Sequence, residues 1–125
     1  MRTVQRFCPN SEGTTAVEFA ITAPLFIGTV FAIVQFCLAL YTQLAIQHGA
    51  EMGARCASIG VCTDQTAVQN YAVAQSYGLS PPTSTFSYAV AGCGSLVTAT
   101  YVYDYVTLYT GGPTVTLTGK SCYPT

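Results

Sequence analysis

Six cysteines, one histidine, five acids and four bases are the groups in this 125-residue chain with chemical reach. Cys8 lies near the N-terminus, Cys37 inside an apolar run, and Cys56, Cys62, Cys93 and Cys122 beyond it. The spacing of the last four fits no common zinc knuckle. A small exported domain, short of core, is instead expected to cross-link its cysteines. Four cysteines allow three pairings; Cys56–Cys62 with Cys93–Cys122 is favoured, each closing one element onto its neighbour. Cys37, in the apolar run, behaves as a small apolar group. His48 has no partner to make it a general base. Asp64 and Asp104 are far apart and lack a third ligand, and no nucleophile elbow or phosphate loop occurs. No enzyme, metal, cofactor or small-molecule substrate is expected. The few Lys and Arg do not cluster, so a phosphate-binding face cannot be assembled and nucleic acid is not an expected partner.

The remaining reactive group is Glu18. It stands at the lip of a run, Phe19 to Ala50, that carries no Asp, Glu, Lys or Arg. An ionised carboxylate strongly prefers water to hydrocarbon, so its place there implies a function.

The run positions everything else. Phe19–Ile46, at about 1.5 Å per residue, makes about 42 Å of helix, longer than the roughly 30 Å hydrocarbon core. A secretory signal has an apolar region of only about 7–15 residues, so membrane lipid is the expected surrounding. Arg2 and Arg6 precede the run and no cation follows until Arg55, which places the N-terminus in the cytoplasm and the bulk of the chain outside. Pro24 and Gly28 should kink or loosen the helix. Thr22, Thr29, Gln35 and Thr42 form either a weakly polar stripe toward partner helices or isolated tolerated residues. Ala45, Gly49 and Gly53, with Ala50, Ala54 and Ala57, offer a small-residue face. It suits either another helix or the protein's own distal domain. Glu51 and Arg55 have the spacing of an exposed ion pair, and Gly60 suits a helix stop.

Beyond it, Thr63 or Asp64 caps a short helix ending by Gly78, and Pro81-Pro82 forbids continuation. Thr83–Val90, Leu96–Thr110 and Val115–Leu117 read as strands, with Gly111-Gly112-Pro113 as a turn. Tyr101, Tyr103, Tyr105 and Tyr109 share one parity and are expected on a half-buried sheet face. The fold class is therefore α+β: a long N-terminal transmembrane helix continuing into a stalk, then a small disulfide-bonded domain with a short helix and antiparallel strands. The expected divisions are a leader at 1–13, the helix and stalk at 14–59, and an extracytoplasmic domain at 60–125.

Gly13, Glu18-Phe19-Ala20, Pro24-Leu25, Gln35-Phe36 and the Ala45–Ala57 segment with Gly53-Ala54-Arg55 together resemble the TadE-like pseudopilins of the tight-adherence (Tad) pilus. The resemblance covers Gly13 to about Ser58. It implies a minor pilin cut between Gly13 and Thr14 by a prepilin peptidase. Glu18 and Phe19 would serve in assembly, with the Glu18 carboxylate pairing with a neighbour's N-terminal amine. Other Tad pilins and the inner-membrane assembly platform are the implied partners, and assembly, priming or tip formation the implied role. The alternative is an uncleaved single-pass scaffold of an envelope or secretion complex.

Overall fold

The computed structural model describes residues 11–106 and 112–125, with side chains from Gly13 onward. Cys8, Arg2, Arg6, Leu108 and Tyr109 lie outside the described residues, as do the first ten leader residues and Gly111. The elements are α1 (Ser11–Ser58), α2 (Gln65–Ala74), a single 3-10 turn at Thr83–Thr85, and strands β1 (Phe86–Ala91), β2 (Gly94–Asp104) and β3 (Thr114–Tyr123). The class is α+β, with a long apolar N-terminal helix and a disulfide-bonded distal fold. The chain divides into two compact units at Val34 and Gln35.

The first unit is helical throughout its described residues. Helical backbone continues through Pro24 and Gly28. Side chains from Gly13 to Val34 are exposed, with Ala23 half-buried. Thr22 and Thr29 turn their hydroxyls onto their own helix, donating to the carbonyls of Glu18 and Leu25. Each hydroxyl is thus satisfied locally, without a partner helix.

The second unit is built on the C-terminal part of α1. Ala45, Ile46, Gly49, Ala50, Gly53, Ala54 and Ala57 form its buried face. α2 packs there: a Cβ on Gly53 would stand 3.2 Å from the Ala72 Cβ. Of the two readings of the small-residue face, the structure takes the chain's own domain. Gln35 and Thr42 are buried with it, Thr42 donating to the Leu38 carbonyl. Glu51 accepts a hydrogen bond from Gln47 Nε2 at 3.1 Å, in place of the expected pairing with Arg55; Gln47 and Arg55 are each one turn from Glu51, and Arg55 stays exposed.

α1 ends where the chain needs a left-handed residue. Gly60 has φ +74° and its N–H reaches the Ala57 carbonyl at 3.1 Å. The N–H groups of Val61 and Cys62 both reach the Cys56 carbonyl, and the Cys56–Cys62 disulfide closes the same turn. Asp64 is the N-cap of α2 in extended backbone, with no side-chain cap bond. The strands form an antiparallel meander in the order β1-β2-β3. At the β1–β2 turn, Gly94 has φ +117°, and a Cβ there would meet the Tyr123 carbonyl at 2.1 Å. Only glycine meets both demands. The Cys93–Cys122 disulfide binds this end of the sheet.

Alternation along β2 sets the sheet's faces. Ser95, Val97 and Ala99 are buried, Tyr101 and Tyr103 half-buried, and Thr100, Val102 and Asp104 exposed. The described tyrosines thus occupy the half-buried face. Phe86 of β1, paired with Ala99, is the largest fully buried side chain. The rest of the core is mostly alanine and valine.

Candidate processing and assembly segment

From Thr14 to Ala50 the one Asp, Glu, Lys or Arg is Glu18. It lies in the first unit, exposed, one residue before Phe19, which is 72% exposed. Gly13 and Thr14 are exposed as well. A Cβ on Gly13 would meet nothing within 4 Å, and the same holds for Gly28. Gly13, Thr14, Glu18, Phe19, Pro24 and Gly28 therefore lie along one accessible helix. Pro24 has no N–H, so the carbonyl one turn before it, on Ala20, loses its usual intrahelical donor. An open apolar groove lined by Phe19, Ala23, Phe26 and Ile27 runs along this stretch.

The chemistry such a segment offers is a recognisable peptide bond followed by one carboxylate. Gly is the least helix-favouring residue other than Pro, by about 1 kcal/mol relative to Ala. Unwinding the backbone across Gly13–Thr14 is correspondingly cheap, and no side chain at Gly13 blocks approach. In an apolar medium a lone carboxylate has a strong drive toward a cation. A newly freed amine is such a cation.

The other groups with chemical reach are absorbed by the fold. His48 Nδ1 lies 2.8 Å from the Gln75 carbonyl, and its ring stacks on Tyr77 at 4.3 Å. It ties α1 to the end of α2. Asp64 and Asp104 are exposed on separate elements. Among the described residues no three His, Cys, Asp or Glu side chains are grouped to hold a metal. Cys37 is exposed on α1.

Sequence reading placed Gln35 in a polar stripe and passed over Gln43, Gln47 and Gln69, which with it fasten the sheet. Gln43 Nε2 donates to the Thr118 carbonyl at 2.9 Å and Gln47 Nε2 to the Lys120 carbonyl at 3.2 Å, both on β3. Gln69 of α2 donates to the Phe86 carbonyl of β1 at 2.7 Å. Gln35 Oε1 accepts from the Tyr103 hydroxyl at 3.3 Å. The available signal was amide side chains four apart, at 43 and 47, on an otherwise apolar helix.

One helix in the described residues is long and apolar enough to cross a membrane. In comparison with known families, residues 13–55 match the family described as TadE-like protein. No curated protein and no solved structure matches the chain.

Proposed function

With residues 13–55 as a TadE-like segment, we propose that this chain is a minor pilin of a Tad pilus. In this reading α1 anchors it in the inner membrane with the N-terminus cytoplasmic, and a prepilin peptidase cuts between Gly13 and Thr14. The chain is a substrate and a subunit, with no catalytic activity of its own. The observation that carries the reading is Glu18, the one acid between Thr14 and Ala50, exposed five residues after Gly13 inside the matched segment.

The mechanism follows from charge. Cutting leaves an ammonium on Thr14. In lipid, the Glu18 carboxylate of one subunit and the Thr14 amine of the next neutralise each other. Either charge alone is expensive there, so the pairing favours insertion in one register. The exposed apolar side chains of the first unit then pack against other pilins, and the distal unit faces outward. Other Tad pilins and the inner-membrane assembly platform are its partners, in assembly, priming or tip formation.

The test is intact mass and N-terminal sequence of the protein from its native membrane, wild type against Gly13→Ala. A wild-type chain starting at Thr14, with the variant full-length, supports the reading; Glu18→Ala should then be cut but fail to assemble. A wild-type chain still starting at Met1 in cells with an active prepilin peptidase refutes it, and favours the single-pass scaffold.

A further inference from the structure

The distal unit begins without a spacer. Every described side chain from Gly13 to Val34 is exposed except half-buried Ala23, and burial by the domain starts at Gln35, Ala39 and Thr42. Residues 13–34, at about 1.5 Å each, make about 33 Å of helix, close to the roughly 30 Å thickness of a hydrocarbon core. The side of α1 that the domain leaves uncovered stays apolar beyond that point, with Phe36, Leu40 and Leu44 all exposed. The next charged side chain after Glu18 is Glu51. If residues 13–34 lie in the bilayer, its outer boundary falls at Gln35 or beyond.

Gln35 also fixes one end of the sheet. Its Oε1 accepts from the Tyr103 hydroxyl, and Tyr103↔Val115 and Asp104↔Thr114 are the last rungs between β2 and β3. The other end of β2, at Gly94, is about 30 Å away along the strand. So the Tyr103 end of the sheet is the end tied to the residue at which the second unit begins. Its exposed side chains are unusual for a surface meeting only water. Val102, Val106 and Val115 are 55%, 64% and 40% exposed. Tyr103 and Tyr105 are half-buried and meet edge to face at 5.1 Å.

We propose that this end of the β2–β3 pair, presenting Tyr103, Tyr105, Val102, Val106 and Val115, rests in the lipid headgroup layer. The proposal takes as given that α1 spans a bilayer. Tyrosine suits that layer because its ring is apolar and its hydroxyl is wet. Asp104, exposed at the same end, sets the depth: its carboxylate needs water, so the contact stops at the headgroups. Both described cations, Arg55 and Lys120, lie elsewhere, Lys120 opposite Thr98 on the sheet. The contact is therefore aromatic and aliphatic, and neither anionic lipid nor low salt is needed for it.

The chain contains no tryptophan, so a single introduced Trp reports one position. Full-length protein is placed in phosphatidylcholine bilayers whose acyl chains are brominated near the headgroup, to read the sheet end, or near the chain ends, to read Phe26→Trp. Phe26→Trp reports the helix. Tyr105→Trp and Val106→Trp report the sheet end, and Val90→Trp, at the far turn, is the reference. Phe26→Trp and both sheet-end variants should lose most of their emission. Both sheet-end variants should also be blue-shifted, unchanged by high salt, while Val90→Trp stays bright. If Phe26→Trp is quenched but both sheet-end variants stay as bright as Val90→Trp, the proposal is overturned and the membrane span stands. If Phe26→Trp also stays bright, the span and the proposal fall together.

Discussion

Gly49 lies where α1 meets α2 and the sheet, and an added methyl group has nowhere to go. A Cβ built there stands 2.5 Å from Ser76 Oγ, 2.8 Å from the Ala72 carbonyl oxygen and 2.9 Å from Phe86 Cζ. Ser76, Ala72 and Phe86 are all fully buried, and the carbonyl belongs to helical backbone. Overpacking of this kind costs about 1–3 kcal/mol, and three contacts this short belong in the upper half of that range. Alanine returns about 1 kcal/mol through helix propensity. The expected net loss for Gly49→Ala is about 1–2 kcal/mol, or a fall in Tm of about 4–16 °C for a unit of this size. Gly53→Ala is the internal comparison. Its nearest atoms are 3.2 and 3.4 Å away and both are side-chain carbons, so clash and propensity should cancel to within about 0.5 kcal/mol. The readout is thermal loss of the near-ultraviolet tyrosine dichroism, with the disulfides intact. All nine tyrosines lie beyond Val34, so the signal reports only the distal unit. Adding Ser76→Ala should not rescue Gly49→Ala, because the carbonyl and the ring remain. Gly49→Ala melting with or above Gly53→Ala would refute this account of the helix crossing.

Removing the Cys93–Cys122 disulfide, with a sequence separation of 29, should cost more than removing Cys56–Cys62, with a separation of 6. Loop entropy gives about 3.6 against about 2.4 kcal/mol, and the ranking of the two Cys→Ser double variants by tyrosine melting checks it. Gln43→Leu and Gln47→Leu each strip a donor from a β3 carbonyl and should cost about 1 kcal/mol apiece. Hydrogen exchange should then accelerate in β3 ahead of β1. An oxidised fragment 60–125 should show no tyrosine dichroism because Ile46, Ala50 and Ala54 leave the core with α1, whereas 35–125 in detergent should retain it.

What the sequence disclosed followed from how local each signal was. The long helix is carried by a charge-free run, and the strands of the meander by period-two Tyr and Val, as at Tyr101–Asp104. The end of α1 was marked by Gly60, a residue type that takes a positive φ without strain. What the sequence left unmarked was where burial along α1 begins: the compact unit starts at Gln35, inside the long helix. Exposed apolar side chains and small ones that meet a sheet look alike in a hydropathy profile. The Glu51–Arg55 pair failed for a related reason: helical spacing named a partner, and Gln47, anchored on the Lys120 carbonyl, was also in reach of the carboxylate.

The same ambiguity explains the composition of the distal core. A helix without Asp, Glu, Lys or Arg from Phe19 to Ala50 has no charged residue there to offer its own domain. It offers small ones instead, and they let α2 and β3 approach closely. A Cβ on Gly119 of β3 would stand 2.8 Å from Gln47 Oε1 and 3.3 Å from Gln47 Cα. Close approach through Ala and Gly buries little apolar area, so the hydrophobic term is weak for a unit of this size. Three devices supplement it. Two disulfides restrict the unfolded chain. Uncharged glutamines, tolerable next to lipid, occupy carbonyls on both outer strands and leave less free edge for another chain to pair with. His48 of α1 meets the Gln75 carbonyl and so joins α1 to the end of α2. Each stabilises the distal unit while keeping charge out of α1 between Glu18 and Glu51, a condition that the proposed pairing of Glu18 with a partner amine requires.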